Sequence, residues 1–126
     1  MIIGIGTDMT EIPRIARAVG NMRLAGKLFT SAELALAEAR GGSAAVLAGC
    51  FAVKEAVVKA MGTGFAGFWP NEIEVLRDAK GAPVITLFGK AKAFADARGM
   101  RHFHVSISNT AAYAIAFVVA EGIGSE

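Results

Sequence analysis

Three charged side chains, Lys54, Glu55 and Lys59, stand inside the otherwise apolar run FAVKEAVVKAMGTG that begins at Phe51. At about 100° per residue, positions 51, 54, 55, 58, 59 and 62 fall on one stripe of a helix. Glu55 and Lys59 are four apart, in the order that favours an ion pair. Two uses fit this pattern. A solvated stripe with one such pair would add only about 0.3–0.5 kcal/mol. A partly buried stripe would instead be a site, with Glu55 binding a cation and Lys59 an anion, because a carboxylate in a narrow apolar cleft needs a metal or a cationic partner. Gly62-Thr63-Gly64 follows directly and would let a large ligand approach the backbone closely. A second acid, Asp8, comes just after Gly4-Ile5-Gly6-Thr7. It can face a ligand from a strand end, form an Asx-turn, or cap the next helix. Two carboxylates joined by water and phosphate oxygens would suit magnesium. The GxG is a weak dinucleotide signature, since the third glycine is absent and no βαβ unit follows.

The elements that must hold these residues can be read from pattern and punctuation. Ile2 to Ile5 read as a short buried strand, and Glu11 to Val19 as a helix with Thr10 as its N-cap and Pro13 in its first turn. Thr30 and Glu33 form a capping box for a second helix running to about Arg40. The third helix, about Ala44 to Met61, is the long one, and Gly62 suits the left-handed position that ends it. Glu72 to Arg77 and Pro83 to Phe88 read as strands joined by a turn at Asp78-Ala79-Lys80-Gly81. A short helix from Lys90 to Arg98 closes at Gly99. Arg101 to Ser108 and Tyr113 to Ala120 read as a second hairpin turning at Asn109-Thr110. The order predicts an α+β fold: a mostly antiparallel sheet packed on helices, with one long central helix.

The chain has 126 residues, 54% hydrophobic and 19% charged, which suits a single domain over residues 1–126 with an ample core. No apolar run approaches the roughly 20 residues of a membrane span. The amino terminus lacks a basic leader, so a cytoplasmic protein with no membrane association is expected. Cys50 is the single cysteine, which excludes an internal disulfide and a cysteine-based zinc site. A net charge of +2, without basic blocks, gives no reason to expect nucleic acid. Ile115, Phe117 and Val119 are expected to face the core, and Ala114, Ala116 and Val118 opposite them are apolar too, as at a subunit interface. His102 and His104 alternate on a strand, one expected to face solvent and one the sheet. Phe65, Phe68 and Trp69 follow the glycine turn as a channel wall, core or interface.

Three motifs together are specific. Gly4-Ile5-Gly6-Thr7-Asp8 with Glu11-Ile12 and Arg14, then Phe51-Ala52-Val53-Lys54-Glu55-Ala56 with Lys59-Ala60 and Gly62-Thr63-Gly64, then His104-Val105-Ser106-Ile107-Ser108, resemble the holo-acyl-carrier-protein synthases, the small bacterial 4′-phosphopantetheinyl transferases. The resemblance runs from Ile3 to about Glu121. It implies transfer of the phosphopantetheine arm of coenzyme A to a serine of apo-acyl carrier protein, releasing adenosine 3′,5′-bisphosphate, in support of fatty acid biosynthesis. It also implies Mg²⁺ dependence and a homotrimer with active sites between neighbouring subunits. By this resemblance Asp8 and Glu55 are metal ligands, and with Lys59 they form the catalytic set. Lys59, Gly62, Thr63, Gly64, Ser106, Ser108 and Asn109 contact coenzyme A, and Arg14 faces the acidic carrier protein. Glu55 is then the candidate base, and Lys54 has a structural or docking role. Two positions depart from the family. Asn109 stands where many relatives carry histidine or an acid, and asparagine cannot act as a base near neutral pH. Cys50 stands where many carry arginine, and is expected as a packed core residue. These departures keep open the same chemistry on a different carrier, or coenzyme A binding without turnover.

Overall fold

The structure, a computed structural model, describes residues 1–65 and 67–123. Along the chain run β1 (Ile2–Glu11), α1 (Ile12–Ala18), α2 (Met22–Leu28), α3 (Ser31–Ala39), α4 (Ala44–Met61), a 3-10 turn (Pro70–Glu72), β2 (Ile73–Arg77), β3 (Pro83–Leu87), α5 (Gly89–Ala97), β4 (Met100–Asn109) and β5 (Tyr113–Gly122). β1, β5 and β4 make an antiparallel sheet in that order, and β2 and β3 make a second, two-stranded antiparallel sheet. This is the expected α+β architecture with a long central helix. Among the described residues no helix is long and apolar enough to cross a membrane.

Helix α4 is the spine. Ser43 caps it by accepting from the Ala45 amide at 3.1 Å. Gly62 ends it in the left-handed region, φ 80°, as its missing Cβ allows. All residues from Leu47 to Met61 are buried except Glu55 and Lys59. The helix lies almost in backbone contact with β1. A Cβ placed on Gly4 would fall 2.0 Å from the Ala60 carbonyl oxygen, and one on Gly6 would fall 1.9 Å from that of Ala56. The glycines after Ile3 and Ile5 therefore serve helix–strand approach rather than a nucleotide.

This close approach sets which face of β5 is inside. Ala114, Ala116, Val118 and Ala120 are buried under α4, whereas Ile115 and Phe117 are exposed and Val119 is half-buried. The expectation that Ile115, Phe117 and Val119 form the core face is reversed, because only small side chains fit beneath a helix this near. Three other expectations change. β1 continues through Glu11 rather than stopping at Ile5, since Gly4 to Glu11 pair throughout with β5. Thr10 is thus a strand residue, and Glu11 takes the N-cap position of α1 with no side-chain hydrogen bond. α2 was not anticipated; Asn21 caps it, accepting from the Leu24 amide at 3.2 Å.

The capping box of α3 is present and reaches further than expected. Glu33 accepts from the Thr30 amide and from Lys54 Nζ on Oε1, both at 2.8 Å, and from the Val75 amide on Oε2 at 2.8 Å. Lys54 Nζ also donates to the Pro70 carbonyl at 3.1 Å and to the Ile73 carbonyl. Both side chains are fully buried. Every ammonium proton has an acceptor, so α3, α4, the 3-10 turn and β2 meet at one ionic knot. Burial pulls the Lys54 ammonium below its ordinary range and Glu33 pulls it back up. The structural reading of Lys54 holds.

Candidate active site at the β1–α4 junction

The extension of β1 decides where Asp8 points. Gly4, Gly6, Asp8 and Thr10 share the strand face toward α4, while Ile5, Thr7 and Met9 are exposed on the other. Asp8 accordingly meets the last turns of α4. Lys59 Nζ donates to Asp8 Oδ1 at 3.3 Å and to the Thr7 carbonyl at 2.9 Å. The pair expected within the helix, Glu55 with Lys59, thus gives way to one between helix and strand, about half exposed on the lysine and 16% exposed on the aspartate. Asp8 neither caps α1 nor forms a turn. Its other oxygen, Oδ2, accepts from the buried Thr10 hydroxyl at 2.6 Å.

Glu55, half-buried one turn earlier on α4, shares this neighbourhood. Its own burial and the charge of Asp8 push its carboxyl above the ordinary range, while Lys59 and Arg14 pull it down. Asp8, Glu55, Lys59 and Arg14 therefore form one electrostatic cluster. The donor set fits Mg²⁺: two neighbouring carboxylates, one of them half-buried, would be relieved of their mutual repulsion by a divalent cation, and oxygen is its preferred ligand. Among the described residues no group of three or more His, Cys, Asp and Glu could cage a metal alone. Arg14 is exposed on α1 beside the cluster.

The remaining candidates lie apart. Gly62, Thr63 and Gly64 form the turn just beyond Lys59. Ser106 and Ser108 are exposed on β4, opposite Phe117 and Ile115 of β5, on the sheet face away from α4. Asn109 ends that strand, also exposed. Ser106 and Ser108 thus point to the opposite sheet face from Asp8, whereas Asn109, in register with Ala114 and Thr10, lies on the α4 side with β5 between it and β1. His102 and His104 are both exposed, because residues two apart on a strand share a face. His104 pairs with Glu121 at 2.9 Å. Cys50 is buried against β2, as expected. Leu28, Phe65, Gly67, Phe68, Trp69 and Pro70 line an open pocket of about 510 Å³. Phe68 is buried edge-on to Phe65, and Trp69 is exposed beneath Lys27 Nζ. Thr10, expected as a helix cap, instead hydrogen-bonds to Asp8. The signal for it was its two-residue spacing from Asp8, visible only if the strand runs past Gly6.

The chain matches the model of the 4′-phosphopantetheinyl transferase superfamily over residues 4–118. It is 46% identical over 123 residues to the holo-[acyl-carrier-protein] synthase of Lachnoclostridium phytofermentans, covering 96% of this chain and 97% of that one. The crystal structure of the holo-[acyl-carrier-protein] synthase of Neisseria meningitidis superposes with a TM-score of 0.86 at 35% identity, covering 96% of this chain and 99% of that one. The Helicobacter pylori synthase in complex with coenzyme A superposes with a TM-score of 0.79 at 30% identity, covering 93% and 99%. Matches of this extent take in both sheets and all the helices between them, and on that ground the chain belongs to the 4′-phosphopantetheinyl transferase superfamily, among the holo-[acyl-carrier-protein] synthases.

Proposed function

We propose that this protein transfers the 4′-phosphopantetheine group of coenzyme A to a serine hydroxyl of apo-acyl carrier protein, releasing adenosine 3′,5′-bisphosphate. The observation that carries the reading is the meeting of Asp8, Glu55 and Lys59 where β1 crosses the end of α4. The serine oxygen forms a bond to the phosphorus that bears pantetheine, and the bond from that phosphorus to the bisphosphate breaks. Such a transfer asks for positioning and charge neutralisation more than for covalent chemistry. A Mg²⁺ ion held by Asp8 and Glu55 would supply charge neutralisation at the pyrophosphate oxygens. Lys59 adds a second positive charge beside them. The serine must lose a proton, and Glu55, directly or through a metal-bound water, is the acceptor in this reading. Gly62, Thr63 and Gly64 flank the nucleotide. Ser106, Ser108 and Asn109 serve the site of a neighbouring subunit in a homotrimer. Arg14 receives the acidic carrier. The whole chain is one catalytic domain acting in the cytoplasm in fatty acid biosynthesis.

The test is intact-mass spectrometry of apo-acyl carrier protein incubated with the enzyme, coenzyme A and Mg²⁺, beside an EDTA control. One added phosphopantetheine, seen only with metal, is expected. Glu55→Gln should lower the rate at least about 100-fold with the melting curve retained. A fully active Glu55→Gln removes Glu55 from the chemistry. No mass gain, with coenzyme A still bound, would replace this reading with another carrier or with binding without turnover.

A further inference from the structure

Thr10 has no part in the reaction as described, yet it is 2% exposed and hydrogen-bonded to the site. Its hydroxyl has one proton, and that proton goes to Asp8 Oδ2 at 2.6 Å, a length typical of strong bonds to a carboxylate. Lys59 holds Oδ1 at 3.3 Å from the other side. The two donors fix the rotation of the Asp8 carboxyl group, and each oxygen keeps a lone pair free. Strand geometry makes this possible, because Asp8 and Thr10 are successive residues on one face of β1. A helix-capping threonine would have been used locally, and Glu11 holds that position instead.

We propose that Thr10 is a positioning residue that holds the Asp8 carboxylate in the orientation in which it ligates the divalent cation. The proposal rests on the reading of Asp8 as a metal ligand. Outer partners of metal-binding carboxylates orient them, and their loss typically costs about 10–100-fold in metal affinity or activity.

The test is direct Mn²⁺ binding, followed by electron paramagnetic resonance of the free ion, with and without coenzyme A. The proteins are the wild type, Thr10→Val, Thr10→Ser and Asp8→Asn. Valine keeps the shape and loses the hydroxyl, whereas serine keeps the hydroxyl. Thr10→Val should weaken Mn²⁺ binding about tenfold or more. Thr10→Ser should bind close to wild type, and Asp8→Asn should lose the site. Thr10→Ala, a second hydroxyl-free variant, should match Thr10→Val, so the result does not depend on how valine packs. Wild-type affinity in Thr10→Val, or a Thr10→Ser as weak as Thr10→Val, overturns the positioning role while leaving Asp8 as a ligand. Binding that survives Asp8→Asn, or no wild-type binding in either condition, overturns the metal reading of Asp8 and the proposal with it.

Discussion

The Cys50 thiol donates to the Val75 carbonyl of β2 at 3.5 Å and is 1% exposed. Burial first, and then the nearby Glu33 carboxylate, push it up to about 12. An unfolded thiol ionises near ~8.5. Between those values the unfolded chain binds fewer protons than the folded one, so this group lowers stability as pH rises above about 8.5. The native protein at pH 8.5 should therefore leave Cys50 unreacted toward a disulfide reagent such as DTNB, with one thiol per chain appearing on addition of guanidinium. Rapid labelling of the native state would put Cys50 at the surface instead. Its neighbour in the same argument is Lys54, one position from Glu55 and entirely enclosed. These two adjacent charges were legible as charges in an apolar run, but not as belonging to different places. The stripe that holds positions 51, 54, 55, 58, 59 and 62 crosses from core to surface, with Lys54 and Val58 buried and Lys59 exposed. Only the partners on α3 and β1 separate them. The cations that act on Glu55 are accordingly Lys59 and Arg14, and the buried thiol contributes no charge there.

The contact between β1 and α4 is the element-scale fact from which the site follows. Gly6→Ala would drive a methyl group into the Ala56 carbonyl, so the strand must lift from the helix and take Asp8 away from Lys59. Overpacking of this kind costs about 1–3 kcal/mol or more. Gly26→Ala on α2, where a Cβ meets nothing within 4 Å, is the control and should leave stability equal or slightly higher. Urea midpoints decide it: the first should fall clearly and the second should not, and an unchanged midpoint for Gly6→Ala would show that the close approach relaxes freely. The same contact explains what could be read from the sequence. α4 was legible because its apolar run is long and a glycine stops it. The capping box of α3 was legible because Thr30 and Glu33 sit at fixed spacing. The outer half of β1 was not, since Thr7, Asp8, Thr10 and Glu11 are polar and only pairing with β5 makes them a strand. α2 has two turns around Gly26, too short for periodicity to show. The inward face of β5 was misassigned because hydrophobicity alone favours Ile115 and Phe117. Helix–strand distance, set by Gly4 and Gly6, favours alanine.

On the scale of the whole molecule, the sheet face away from α4 is the open question of its surface. Ile5 is 61% exposed, Met9 63%, Phe117 47% and Ile115 37%, all on neighbouring strands of one sheet. Contiguous apolar surface of this kind marks an interaction site more often than free solvent contact. Ser106 and Ser108 flank it on β4, as cross-strand neighbours of Phe117 and Ile115. A residue on this face cannot reach Asp8 of its own chain, because the sheet intervenes. If Ser106 and Ser108 contact coenzyme A, they do so at a neighbour's β1–α4 junction, and self-association is then a condition of activity. Phe117→Glu tests this without touching the inner core, since Phe117 points away from α4. The wild type should run at three times the chain mass in light scattering at micromolar concentration. The variant should run at the chain mass, keep its far-ultraviolet circular dichroism, and lose transfer activity together with its oligomeric state. A monomeric wild type would refute the trimer. A monomeric variant with full activity would mean that each chain completes its own site, and would remove Ser106 and Ser108 from coenzyme A binding.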